Sequence, residues 1–197
     1  MPKSTAALPL ENRLKQGAAL FIASLTMFFL GSIVLYLLYA YWRRDVVQPS
    51  SLLPGIFVLS TLLLVLISAL SHQASRTVRR DHRKRTAAML ALALLLAFGF
   101  LVAQGYAIWQ MMETPEMRNS FSQGVGGMVI ILAILHALHV VGGIISLGIV
   151  SVRSFEGRYD HERHGAVDFA ASYWHFLDLV WLLMLFAFWM TTAGFAF

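Results

Sequence analysis

The sequence predicts an all-α, polytopic membrane protein of five transmembrane helices, with a cytoplasmic N-terminus and a periplasmic C-terminus. Composition is the first reason: 58% of the 197 residues are hydrophobic and 13% charged, whereas a soluble domain is about one-half apolar and one-quarter charged. Length is the second. A hydrocarbon core of roughly 30 Å takes about 20 apolar residues to span as a helix. Five runs qualify, 17–42, 52–71, 87–112, 119–152 and 169–197, and Asp178 is the only formally charged residue within them. The third reason is the placement of the cations. Five spans put alternate connections on opposite faces. Twelve of the fifteen Lys and Arg (Lys3, Arg13, Lys15, Arg76, Arg79, Arg80, Arg83, Lys84, Arg85, Arg153, Arg158 and Arg163) fall on the N-terminal face, and Arg43, Arg44 and Arg118 on the other. Positive residues collect on the cytoplasmic side, which orients the chain.

Taken in order, residues 1–15 hold Pro2, Pro9 and several polar groups and are expected to be flexible. Helix one, 17–42, is too long for a signal-peptide core and lacks a small-residue cleavage site, so it is expected to be retained. Pro49 and Pro54 bracket the entry to helix two, 52–71, and Pro54 suits a first helical turn. The cluster 76–85, opposed only by Asp81, lies between helices two and three, where anionic headgroups attract such residues. Helices three to five are placed at 87–112, 119–152 and 169–194. Short connections make neighbours antiparallel. No repeat or boundary divides residues 1–197, which read as a single membrane domain. Glycines at 31, 99, 105, 126, 127, 142, 143 and 148 let helix backbones approach closely in lipid.

The chain has no cysteine, which excludes disulfides, thiolate metal sites and iron–sulfur clusters within it. The net charge of +5 lies in membrane-flanking segments, where it sets orientation and implies no nucleic acid.

An ionisable group inside a span costs about 2.5–3.5 kcal/mol and needs a partner, a cavity or a function. Helix four carries His136 and His139 one turn apart, and helix five carries His175 and Asp178, with Trp174, Asp178 and Trp181 in one stripe. Haem ligation, metal binding and a proton relay are the functional readings. The structural reading is a His136–His139–Asp178 hydrogen-bond network joining helices four and five. Asp168 begins helix five, where a carboxylate meets the positive end of the helix dipole.

The run Tyr173-Trp174-His175-Phe176-Leu177-Asp178-Leu179-Val180-Trp181 closely resembles the YWHFVDxVW signature of subunit III of cytochrome c and quinol oxidases of the haem-copper type. Other matches follow in order along the chain. His136-Ala137-Leu138-His139-Val140-Val141-Gly142-Gly143 is similar to the family's HGLHVxxG. Gln104, Tyr106 and Trp109 resemble its QxYxW, and Leu20-Phe21-Ile22-Ala23-Ser24 its first-helix LFIAS. Asp168 takes the place of a glutamate five residues before the signature tyrosine, and the five-helix length is similar to bacterial members. Two positions depart from the pattern: Leu25 stands where a membrane glutamate is usual, and Ala107 where an acidic residue follows the tyrosine of QxYxW. Leucine neither binds nor passes a proton.

The resemblance implies an accessory subunit without catalytic or metal-binding residues of its own, located in a bacterial inner membrane. Haem and copper would reside in partner subunits, chiefly subunit I, with subunits II and IV as further neighbours. It also implies protection of the complex during turnover, in support of aerobic electron transport coupled to proton pumping, and phospholipid bound in a cleft between the first two helices and the other three. Arg43 and Arg44 at one end, and Arg76, Arg79 and Arg80 at the other, are the expected headgroup contacts. An accessory subunit of a nitric oxide reductase, a stand-alone transporter and a membrane cytochrome are the alternatives.

Overall fold

The computed structural model describes residues 7–43, 53–80, 82–113, 125–159, 164–191 and 195–196. Five long helices dominate: α1 (Ala7–Trp42), α2 (Ile56–Val78), α3 (Arg83–Glu113), α4 (Val125–Phe155) and α5 (Gly165–Thr191). Each contains a stretch long and apolar enough to cross a membrane. A helix satisfies its backbone hydrogen bonds within itself, which lipid requires. A two-residue parallel bridge joins β1 (Leu53–Pro54) to β2 (Phe195–Ala196) at the end opposite the α2–α3 connection.

Helices α2 to α5 close a ring in which α2 packs on α3, α3 on α4, α4 on α5 and α5 on α2; α1 lies outside it, against α5 and α4. The ring is built on one periodicity. Buried residues of α2 alternate at spacings of three and four: Phe57, Ser60, Leu64, Ile67, Ser71, Ala74, Val78. The same alternation runs through Thr86, Leu90, Ala93, Ala97, Phe100, Gln104 and Ala107 of α3, and through Val129, Ala133, His136, Val140, Gly143, Leu147, Val150 and Ser154 of α4. In α5 it is Val167, Ala170, Trp174, Leu177, Trp181, Met184, Phe188. This is the spacing of a left-handed four-helix bundle. Trp174 and Trp181 of α5 are the largest fully buried side chains.

Several boundaries differ from the apolar runs. Residues 7–15, expected to be flexible, continue α1. They are rich in good helix formers, and Pro9 falls in the first turn, where its missing N–H breaks no bond. At 36 residues α1 is about 54 Å long, well beyond the hydrocarbon thickness. Helix α2 likewise runs past Ser71 to Val78, and α3 starts at Arg83, because cations at the headgroups do not stop a helix. Residues 1–6, 44–52, 119–124 and 192–194, which touch the expected N-terminal segment and helices two, four and five, lie outside the described residues, as do Arg44 and Arg118.

The α4 terminus shows why its chain turns where it does. Gly157 has φ +70°. Its N–H donates to the Ser154 carbonyl and the Arg158 N–H to the Arg153 carbonyl, both at 3.1 Å, the pattern of a Schellman cap.

Candidate functional site

The expected network of His136, His139 and Asp178 is not formed. His136 occupies a core position of the α4 repeat, and a residue three positions on is rotated by about 60° from it. His139 therefore leaves the core toward α1. Its ring lies 5.0 Å from that of Phe29, edge-on, and its Nδ1 is 2.7 Å from the Leu135 carbonyl one turn back in the same helix. Asp178, one position after Leu177 of the core row, is turned toward α2. The three groups diverge to different neighbours.

His136 is enclosed by rings from three helices: Trp181 at 5.4 Å, Phe29 at 6.2 Å and Phe100 at 6.5 Å between centroids. Neither ring nitrogen has a hydrogen-bonding partner among the described residues. A haem or metal would need ligands converging on one point. Among the described residues no group of three or more His, Cys, Asp or Glu is placed to hold a metal ion.

The polar residues of α5 instead meet α2. Thr61, Ser68 and Ser75 recur at seven-residue spacing along α2, and each meets a polar side chain of α5. At one end Trp181 donates its Nε1–H to Thr61 Oγ1 over 2.9 Å. Midway, Ser68 Oγ contacts His175 Nδ1 at 2.5 Å and also reaches Asp178. A hydroxyl has one hydrogen, so with Asp178 ionised it donates to the carboxylate and accepts from the His175 Nδ1–H. The His72 ring stands 5.5 Å from that of His175. At the far end Ser75 donates to Asp168 Oδ1 over 2.5 Å and Arg79 pairs with Oδ2 at 2.9 Å. Asp168 thus lies in the first turn of α5, as expected, and also ties that turn to α2.

The remaining signature residues serve packing. Trp174 is fully buried with its Nε1 unpartnered among the described residues, so the expected stripe with Asp178 splits between core and flank. Tyr173 donates to the His139 carbonyl at 3.0 Å and stacks at 6.3 Å on Phe21 of α1. In the QxYxW-like motif, buried Gln104 donates to Ser60 Oγ at 3.2 Å, whereas Tyr106 and Trp109 are exposed. Leu25 is partly buried against the core. A leucine there makes apolar contact and no polar one.

The expected cleft between the first two helices and the other three is absent as drawn. Helix α2 belongs to the ring, fastened to α3 and α5, while α1 sits on the other flank of α5. Among the described residues α1 and α2 both pack on α5 but not on each other, which leaves a groove between them along α5. The expected headgroup cations also separate. Arg79 is paired with Asp168, Arg76 and Arg80 are exposed, and Arg43 lies 5.7 Å over the Tyr39 ring. Within the anticipated cluster 76–85, His82, Arg83, Lys84 and Arg85 line an open pocket of about 520 Å³.

The α2 half of the seam, with His72, was not singled out from sequence. Its one visible signal was the row of hydroxyl residues within an otherwise apolar helix.

Residues 3–192 match the family model described as cytochrome c oxidase subunit III. The chain is 30% identical over 191 residues to "Cytochrome c oxidase subunit 3" of Salmo salar, covering 89% of this chain and 69% of that protein. Over 190 residues and the same shares, it is 28% identical to the protein of that name from Carassius auratus. With the match spanning all five helices and both faces of the α2–α5 seam, the chain belongs to the cytochrome c oxidase subunit III family.

Proposed function

We propose that this chain is the accessory third subunit of a bacterial haem-copper terminal oxidase, stabilising the catalytic subunit that carries haem and copper. The observation that carries this reading is the use made of the signature: its Trp181, His175 and Asp178, with Asp168 ahead of it, are spent on fastening α5 to α2. Residues so engaged favour a structural role in support of aerobic electron transport and proton pumping carried out elsewhere in the complex. Subunits I, II and IV are the expected protein neighbours. The twelve-to-three division of cations supports a cytoplasmic N-terminus in the bacterial inner membrane.

Bound phospholipid is the second element. The open pocket of His82, Arg83, Lys84 and Arg85, with exposed Arg76 and Arg80 nearby, supports headgroup contact at the basic end. Arg79 is better assigned to Asp168.

Purification of the tagged chain from its native membrane, followed by optical spectra and subunit mass spectrometry, tests the reading. A haem-copper catalytic subunit is expected to co-purify, and membranes lacking this chain are expected to lose oxidase activity faster during turnover. A colourless chain recovered alone would overturn the assignment. Co-purification with a catalytic subunit of nitric oxide reductase would redirect it within the same architecture.

A further inference from the structure

Two imidazoles face outward where lipid would otherwise lie. His72 of α2 and His175 of α5 are both exposed, and their rings are 5.5 Å apart. By the pairing of Ser75 with Asp168 and of Thr61 with Trp181, they sit between the two ends of the span. His72 lies about 9 Å and His175 about 15 Å along its helix from the basic end. Outward faces of the other helices differ. Leu92, Leu95, Phe98 and Val102 clothe α3, and Ile131, Ile134, Leu138, Val141 and Ile145 clothe α4, as lipid demands. Among the described helical residues the other exposed cations, Arg13, Lys15, Arg76 and Arg153 among them, stand toward the basic end, and no other imidazole is exposed.

An ionisable group facing hydrocarbon costs about 2.5–3.5 kcal/mol, and such groups almost always face protein or water. Neither histidine is needed on the surface for the chain's own cohesion: Ser68 uses only Nδ1 of exposed His175, which leaves Nε2 without a partner among the described residues. Leu179 and Leu182 of α5 and Val65 of α2 are exposed along the groove they edge, and Ser172 is the other exposed polar residue among the described residues of α5. Among the described residues α1 and α2 both pack on α5 without packing on each other.

We infer that this groove is the docking surface for a transmembrane helix of the partner subunit, one that presents a hydrogen-bonding side chain such as a carboxylate, amide or hydroxyl to His72 and His175. The inference rests on the accessory-subunit reading and adds the face used. A phospholipid acyl chain matches the apolar floor but leaves both imidazoles unsatisfied. A helix with one polar residue at matching depth satisfies both.

The test places a photo-reactive benzoylphenylalanine at Leu179, beside His175, and at Leu138, on the apolar outer face of α4, in the complete complex within its native membrane. A protein adduct is expected from Leu179 and only lipid adducts from Leu138. Replacing both histidines by leucine should lower retention of the partner about threefold to tenfold, the range that interhelical hydrogen bonds in lipid carry. Restoring glutamine at 175 should recover part of it. Protein adducts from Leu138 with only lipid at Leu179, or no protein adduct from either site, overturn the docking surface. A Leu179 adduct to a chain outside any oxidase keeps the surface and overturns the subunit reading.

Discussion

Gly143 of α4 lies directly against the indole of Trp174: a Cβ built on the glycine would stand 3.2 Å from Cζ2 and 3.1 Å from Leu177 Cδ1. Both residues occupy core positions of their repeats, so α4 and α5 approach closely here. The large ring is accommodated because its neighbour has no side chain. Gly143→Ala requires a shift of a few tenths of an ångström. Gly143→Val forces the helices apart, and overpacking of this kind costs about 1–3 kcal/mol. Thermal unfolding of the purified complex should show a small loss for alanine and a clear one for valine. Gly142, whose Cβ would meet only the Tyr173 hydroxyl at 3.7 Å, is the control. Equal effects at both positions would contradict the packing argument.

Ser68 is the hinge of the seam. Removing its hydroxyl leaves Asp178 and the Nδ1 of His175 without that partner at once. Interhelical hydrogen bonds in membranes average about 0.6 kcal/mol, and a buried group left unpaired adds about 1–3 kcal/mol. Ser68→Ala should therefore destabilise the fold by about 1–3 kcal/mol, and Ser68→Thr, which keeps the hydroxyl, by much less. Detergent resistance of the assembled complex measures the difference; parity between the two variants would remove Ser68 from the role given to it.

The five spans were legible because lipid imposes a length and a polarity that local composition records. Helix ends were less so. The apolar runs mark hydrocarbon thickness, and α1 and α2 continue beyond it as helices, with Arg13, Lys15 and Arg76 in the headgroup layer. The polar partners were hidden for a different reason. His136 and His139 share a face at one-turn spacing, but only the three-four phase of the core row tells which is central and which looks at α1. That phase is present in α2 to α5 as a row of small, hydroxyl and large residues together, and hydropathy alone does not resolve it. The neighbour of Asp178 depends on the order of helices around the ring, which no single segment encodes.

Gly157 fixes the turn after α4 with φ +70°. Any residue with a Cβ is strained there by about 1–2 kcal/mol. Gly157→Ala should lower stability by about that amount, and Gly157→Asn, which tolerates the left-handed region better, by less. The Arg83 guanidinium reaches the Gly157 carbonyl at 3.5 Å, so the turn also contacts the start of α3. Unfolding curves for the two variants that coincide with the parent would mean the cap adds nothing.

The pair of Arg79 and Asp168 closes the seam at the basic end, and its exposure decides its strength. Side-chain exposures are 57% for Arg79 and 30% for Asp168, so water and salt screen the 2.9 Å contact. Exposed pairs of this kind contribute about 0.2–1 kcal/mol. The Ser75 hydroxyl and the dipole of α5 also support the carboxylate, so Asp168→Asn should cost more than Arg79→Gln. A double-mutant cycle on complex stability should give a coupling below about 1 kcal/mol that shrinks between low and high salt. Phospholipid retained by the Arg79→Gln complex should match the parent, because this guanidinium is occupied by protein. Lipid loss on that substitution, with stability unchanged, would assign Arg79 to a headgroup after all.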